Sequence, residues 1–309
     1  MNSKHTIAFY NLENLFDPEE GKHTLDANFT PTGIYRWNQG KYRRKIDNLG
    51  KVISEIGPKN SQNPPVFLGV CEVENRTCLK DLTNCDSLSK YQYSFVHFES
   101  NDRRGLDTAF LYRTKHFKLL NSETFSIEVE GRMGREPTRD ILYVEGVLFN
   151  EHIHVLINHW PSRLEGSRST REKRRTLARE LDKVVDSIYH KDPKSKILIV
   201  GDFNDQPKDY SLRKDFTHDF FNASEQNDFG PGTARFKNKW VIFDQILIDQ
   251  NLLNNESLNY VTAGVYSPPY LIETRGRHKG SPKRSFRGKR FQNGYSDHFP
   301  VYAVFDLSH

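Results

Sequence analysis

Short apolar runs between turn residues recur along the whole chain. Those rich in β-branched and aromatic side chains predict strands at His5–Tyr10, Val66–Val73, Gln92–Phe98, Asp107–Tyr112, Ile141–Phe149, His152–Trp160, Lys196–Phe203, Val241–Ile248 and Pro300–Phe305. That number suits two packed sheets. Two segments follow a helical period instead. Over Lys41–Ile56, the residues Ile46, Leu49, Val52, Ile53 and Ile56 form one stripe, and Gly57-Pro58 ends it. Over Thr170–Tyr189, Leu177, Leu181, Val184, Val185 and Ile188 line one face, and Ser169 with Glu172 fits a capping box. The other face of this helix carries Arg171, Lys173, Arg174, Arg175 and Arg179, a charge run ordinary for a solvated surface.

No repeat of fixed period and no long Gly/Ser or Pro linker divides the chain, so one domain over residues 1–309 is expected. The segment Arg275–Arg290 lacks apolar periodicity. It concentrates Arg275, Arg277, Lys279, Lys283, Arg284, Arg287, Lys289 and Arg290 among Gly276, Gly280, Pro282 and Gly288. It reads as a basic loop over the edge that carries Asp297-His298.

Composition narrows the class. With 309 residues and 36% hydrophobic content, the chain can bury a substantial core. No run reaches the ~20 apolar residues of a membrane span. The run Thr6–Tyr10 is too short for a signal h-region, so a cytoplasmic location is expected. Cys71, Cys78 and Cys85 form no CxxC pair, which argues against a disulfide scaffold or zinc site. The net charge of +5 favours polyanionic partners without naming one. A monomer is the expected state.

Candidate chemistry collects at strand ends. Six stretches place polar or ionisable residues there: Tyr10-Asn11-Leu12-Glu13-Asn14, Cys71-Glu72-Val73-Glu74, Asn158-His159-Trp160-Pro161, Gly201-Asp202-Phe203-Asn204, Phe243-Asp244-Gln245 and Ser296-Asp297-His298. Alone, each reads as a turn or a packed side chain. Asp202 and Asn204 lie two apart, so an extended chain offers both on one face. Asp297-His298 adds a second carboxylate and an imidazole. These groups suit metal-assisted attack on a phosphorus ester.

In this order, the six stretches resemble the endonuclease/exonuclease/phosphatase superfamily. The resemblance runs from Phe9-Tyr10-Asn11 to Ser296-Asp297-His298-Phe299-Pro300. The phrases Asn11-Leu12-Glu13-Asn14-Leu15-Phe16-Asp17, His159-Trp160-Pro161-Ser162-Arg163 and Gly201-Asp202-Phe203-Asn204-Asp205 are similar to a bacterial subfamily of unassigned substrate. The resemblance implies a deoxyribonuclease I-like α+β fold: a four-layer α/β/β/α sandwich, with two mostly antiparallel sheets face to face and helices outside.

The resemblance also implies roles. Glu72 matches a metal-ligand glutamate, Asn11 the asparagine beside it, and Asp297 a further acidic contact. Hard oxygen ligands suit Mg²⁺, or Mn²⁺. Asp202 matches the residue that orients or deprotonates the attacking water, with its carboxylate expected to stay ionised. Asn204 and His298 match donors to the phosphate, and Asp244 the carboxylate that fixes the His298 tautomer. His159 matches a general acid or leaving-group donor, with Asp107 as its possible partner. Arg135, Arg139 and Arg287 are candidate phosphate contacts. Phe291 and Tyr295 are open to either base stacking or packing.

The implied function is a metal-dependent phosphoric ester hydrolase, foremost a phosphodiesterase or nuclease acting on DNA or RNA. A phosphatase or phosphodiesterase of small or lipid phosphate esters would use the same fold. No amphipathic membrane-binding helix is evident, which weighs against lipids. A non-catalytic polyanion-binding module is the remaining reading, and the complete residue set argues against it.

Overall fold

Alternation along the first strand sets the layering. Ile7 and Phe9 join one buried cluster while Ala8 and Tyr10 join another, so opposite faces of this strand pack into different layers. The computed structural model describes residues 3–19, 21, 26–131, 134–163, 166, 170–226 and 229–307.

One six-stranded sheet holds β1 (Ser3–Leu15), β2 (Gln62–Val73), β3 (Tyr93–His97), β4 (Asp107–Arg113), β15 (Leu258–Val265) and β18 (Val301–Leu307), in the order β15-β18-β1-β2-β4-β3. The other holds β5 (Phe117–Phe125), β8 (Ile141–Leu148), β9 (Glu151–His159), β10 (Ile197–Asp202), β11 (Phe220–Asn222) and β14 (Asp244–Asp249), in the order β11-β14-β10-β9-β8-β5. Three hairpins lie outside the sheets: β6 (Glu128–Gly131) with β7 (Gly134–Pro137), β12 (Ala234–Phe236) with β13 (Lys239–Val241), and β16 (Phe286–Arg287) with β17 (Arg290–Phe291). Pairing is antiparallel except between β1 and β2 and between β9 and β10.

Between the sheets, Ile7, Phe9, Phe67 and Phe110 meet Val144, Ile157, Val200 and Ile246. The sheets approach so closely that a Cβ on Gly69 would lie 2.9 Å from Val200 Cγ2. The outer face of the first sheet buries α1 (Gln39–Glu55) and α2 (Arg76–Asn84), through Ile46, Leu49, Val52, Ile53, Leu79 and Leu82. The outer face of the second buries α3 (Arg171–Lys191), through Leu177, Leu181, Val184, Val185 and Ile188. The result is the four-layer α/β/β/α sandwich that the resemblance implied, with the two packed sheets that the strand pattern suggested. A single turn, α4 (Gln250–Leu253), follows β14. No helix among the described residues is long and apolar enough to cross a membrane.

All nine expected strands form, the run Val241–Ile248 splitting between β13 and β14. Both expected helices form within a few residues of their predicted ends. Asn38 caps α1, its side chain accepting a bond from Lys41 N at 3.1 Å. The capping box expected of Ser169 lies outside the described residues. The cationic face of α3 is not simply solvated: Arg174 is buried on Asp205, and Arg175 and Arg179 share Asp215. Cys71, Cys78 and Cys85 are free and buried.

The basic segment is more ordered than a loop. It contains the turn Gly276–His278 and the β16–β17 hairpin, pinned by Phe286 and Phe291 against Trp37 at 5.7 and 6.0 Å between ring centroids. Tyr295 packs on Tyr270. Phe291 and Tyr295 therefore pack, rather than presenting free faces to a base.

Candidate active site

The strand tips bring the candidate residues together. β10 lies between β9 and β14, and its last residue, Asp202, sits in register with His159 on one side and Asp244 on the other. The first sheet adds Asn11 from β1 and Glu72 from an irregularity in the β2 register between Cys71 and Val73. Glu13, Asn14, Glu72 and Asn204 all hold positive φ, from 49° to 62°. Left-handed backbone at four non-glycine residues in one place is strain of the kind concentrated at functional sites.

Asp202 is the hub. Its Oδ1 accepts from Asn204 N at 2.9 Å, and its Oδ2 accepts from Asn11 Nδ2 at 3.1 Å. His159 Nε2 and His298 Nε2 each lie 3.9 Å from that same Oδ2. Burial pushes the Asp202 carboxyl up to about 7; Asp244 adds to the rise, while His298 and the bonds from Asn204 and Asn11 oppose it. A carboxylate that simply stays ionised was expected. Burial beside a second carboxylate makes its ionisation harder than the sequence implied.

The two histidines diverge. His298 Nδ1 pairs with Asp244 Oδ2 at 2.7 Å. Burial disfavours its charge, but Asp244, Asp202 and Asp297 outweigh burial and hold the imidazole protonated well above its ordinary range. For His159, burial and then the Arg139, Arg104 and His298 charges depress the pKa well below the ordinary value. A neutral His159 disfavours the general-acid option and leaves it as a hydrogen-bonding group. Its Nδ1 is buried without a hydrogen-bond partner among the described residues. The expected Asp107–His159 pair is not made. Asp107 instead meets His97 Nε2 at 3.2 Å and Ser100 N at 3.0 Å, because the adjacent strand β3 claims it first.

The candidate metal ligands are two carboxylates, Glu72 and Asp297, and the amide of Asn11. Glu72 Oε2 accepts from Asn14 N at 2.8 Å, while Oε1 faces His159 Nε2 at 3.8 Å and accepts no hydrogen bond among the described residues. That free oxygen fits one hard cation. Asp297 Oδ2 is already bound by Arg284 Nη2 at 2.9 Å, and Arg284 Nε reaches Glu13 at 2.9 Å. Asn11 Oδ1 accepts from Glu13 N. Two tight groups of metal-ligating side chains lie here, Cys71/His159/Asp202 and Asp202/Asp244/His298, and neither contains Glu72 or Asp297.

Two residues without an expected role shape this region. Lys45, fully buried, donates to Glu13 O at 2.6 Å and Ser285 Oγ at 2.7 Å. A lysine at 45 within the buried positions 42, 46, 49 and 53 of α1 was the sequence signal that could have exposed it. Glu13 is buried and receives Arg284 Nε and Ser285 N, so it latches the basic segment to the site. Glu74, two residues after Glu72, accepts instead from Asp17 N.

Beside His298, Asn204 and Asp297 opens a groove of about 500 Å³, lined by Arg235, Lys237, Arg277, Arg284 and Arg287. The basic segment thus overhangs the expected edge. Arg287 lines the groove while bonded to Glu273. Arg135 does not reach it. On the β6–β7 hairpin, neighbouring residues face opposite ways, so Glu136 turns inward to Lys173 and Arg135 turns out to Glu128. Arg139 is buried near Asp102 at 3.7 Å, away from this groove.

Solved structures share the architecture. An endonuclease/exonuclease/phosphatase family protein from Bacteroides thetaiotaomicron superimposes with a TM-score of 0.64 at 15% identity, covering 100% of this chain and 99% of that one. The mannosyl-6-phosphatase of the same organism gives 0.60 at 15% identity, covering 97% and 99%. Danio rerio TDP2 complexed with single-strand DNA product gives 0.57 at 15% identity, covering 98% and 99%. At such identities the likeness establishes the fold. The sequence matches none of the curated proteins with which it was compared. Residues 6–306 match the Endonuclease/Exonuclease/phosphatase family, so the chain belongs to that family of metal-dependent phosphoric ester hydrolases.

Proposed function

We propose that this chain is a phosphodiesterase that hydrolyses DNA or RNA strands by in-line attack of water, with Mg²⁺ or Mn²⁺ as cofactor. The observation that carries this reading is the convergence of Asn11, His159 and His298 on one oxygen of Asp202, beside a groove lined by five cationic side chains. A phosphodiester anion repels nucleophiles, and a bound divalent cation would neutralise charge on its oxygens. Glu72 and Asn11 would hold that cation, with Asp297 as an outer acidic contact.

The chain's own groups would divide the remaining work. Asp202 Oδ2 orients the attacking water and takes its proton. The His298 imidazolium, fixed by Asp244, donates to a phosphoryl oxygen as charge develops there. Asn204 Nδ2 spends one hydrogen on Trp160 O at 3.0 Å, which leaves the second for the phosphate. Neutral His159 donates a hydrogen bond toward the leaving oxygen. The groove cations bind the polyanion's backbone.

A phosphatase acting on small phosphate esters is the competing reading, since a mannosyl-6-phosphatase shares the fold. A substrate panel with and without EDTA separates them: plasmid DNA, single-stranded RNA, inositol phosphates, mannose 6-phosphate and sphingomyelin. The reading requires EDTA-sensitive cleavage of DNA or RNA. Turnover of the small esters alone would refute it.

A further inference from the structure

Arg139 presents a contradiction within the protein. Its side chain is 5% exposed, its Nε is buried without a hydrogen-bond partner, and its nearest carboxylate, Asp102, stands 3.7 Å away. No hydrogen bond reaches any of its five N–H groups among the described residues. A buried guanidinium left this way is costly unless something completes it. The fork of N–H groups matches two oxygens of a phosphate.

The surroundings repeat the demand. Arg139 lines a cavity of about 400 Å³, in which four cations, Arg103, Arg104, Arg139 and Lys173, face two carboxylates, Asp102 and Glu136. The cavity opens beside the chemistry. Pro161 and Ser162, two and three residues after His159, form part of its wall, and Ser162 also lines the cationic groove. From the other side, Arg104 Nη2 donates to Asn14 Oδ1 at 3.1 Å, and Asn14 N holds Glu72. A ligand in this cavity therefore lies close to His159, with Ser162 shared between the cavity and the groove.

We propose that Arg139 and this cavity form a second anion subsite, which receives a phosphoryl group of the substrate other than the one hydrolysed. The proposal rests on the phosphoesterase reading above and sharpens it: the preferred substrate carries at least two phosphoryl groups. The second can be the next phosphate of a nucleic-acid strand or another phosphate on a small molecule, and the recognition chemistry is shared.

The test compares substrates that differ only in the second charge. One arm uses a thymidine trinucleotide against the same trinucleotide with a neutral methylphosphonate beside the scissile phosphate. The other uses fructose 1,6-bisphosphate against fructose 6-phosphate. The wild type is expected to favour the doubly charged member at least tenfold in kcat/KM in one arm, and the arm that responds identifies the source. Arg139→Met is expected to reduce that preference below threefold, and Arg139→Lys to restore part of it. Calorimetric titration with pyrophosphate supplies a readout without turnover, expected to weaken at least tenfold in Arg139→Met. A preference absent from both arms of the wild type, or unchanged in Arg139→Met, overturns the subsite. So does equal pyrophosphate affinity. If Arg139→Met does not fold, Arg139→Lys takes its place in both measurements, and a preference and a pyrophosphate affinity both equal to the wild type's overturn the subsite. Failure of the wild type to hydrolyse bis-p-nitrophenyl phosphate with Mg²⁺ or Mn²⁺ refutes the phosphoesterase reading instead, and pyrophosphate binding still judges the subsite.

Discussion

His159 and His298 approach the same oxygen of Asp202, each with Nε2 at 3.9 Å, from separate structural elements. The carboxylate they share is the point where loss of one side chain should do most damage to turnover. Asp202→Ala is expected to lower kcat on bis-p-nitrophenyl phosphate by on the order of 10²–10⁴-fold, the usual contribution of a positioned acid–base group. Because burial already disfavours its charge, the melting temperature should not fall appreciably. Wild-type turnover in this variant would remove Asp202 from the role.

In the proposed mechanism, Asp244 acts through His298 rather than on substrate. Asp244→Asn should keep the fold and cost about 10- to 100-fold in kcat, as supporting partners of catalytic groups commonly do. It should also bring the His298 titration, followed by proton NMR, down toward its ordinary range. An unmoved titration would show that the 2.7 Å bond does not control the imidazole.

Among the described residues, Glu72 has one oxygen that accepts no hydrogen bond. Glu72→Gln should raise the Mn²⁺ concentration for half-maximal binding, measured by calorimetry, by about 10-fold or more, since hard cations depend on few carboxylates. An identical titration in variant and wild type would exclude Glu72 as a ligand.

Glu13 ties the basic segment to the site through Arg284 and Ser285. Removing one partner of a fully buried ion pair costs about 3–5 kcal/mol, and half-exposed Arg284 places this pair lower, at about 2 kcal/mol. Glu13→Ala should show that loss in urea unfolding, together with faster tryptic cleavage within residues 275–290. Unchanged cleavage would mean that the aromatic packing on Trp37 holds the segment unaided.

Stability should also fall with acid. Burial first, then neighbouring charges, lowers His5, His116 and His154 to about 4 from the ordinary 6.5. Between those values the unfolded chain binds more protons than the folded one, so stability is fullest above pH 6.5 and declines toward pH 4. The urea midpoint should drop across this window, and the drop should be shallower in a His5→Gln/His154→Gln variant. Parallel curves for the two proteins would count against these histidines.

The sequence disclosed what repeats locally. Strand runs such as Ile197–Val200 and the stripe on α1 are periodic, and periodicity follows from backbone geometry alone. The candidate site residues stood out because they cluster at strand ends in a fixed order, and the structure brings Asn11, His159, Asp202, Asp244 and His298 together. Long-range choices were not. Nothing local says that Asp107 will meet His97 rather than His159, or that Arg139 will be buried while Arg135, four residues earlier, points to solvent. The strand Phe117–Phe125 escaped notice because its edge position leaves polar Asn121, Ser122 and Glu123 in the run. The helix Arg76–Asn84 was too short for its period to emerge, although Asn75 capping Cys78 N was a usable start signal.

Register gives the rung His159–Asp202–Asp244 a consequence for how the chain tolerates change. A one-position slip of a strand turns every side chain to the opposite face. Displacing β10 by a single residue would aim Asp202 into the layer beneath α3 and leave the histidines facing apolar Gly201 or Phe203. The greasy alternation of Ile197, Leu198, Ile199 and Val200 therefore acts as a ruler for catalysis, and repacking substitutions far from any phosphate can silence the enzyme without unfolding it.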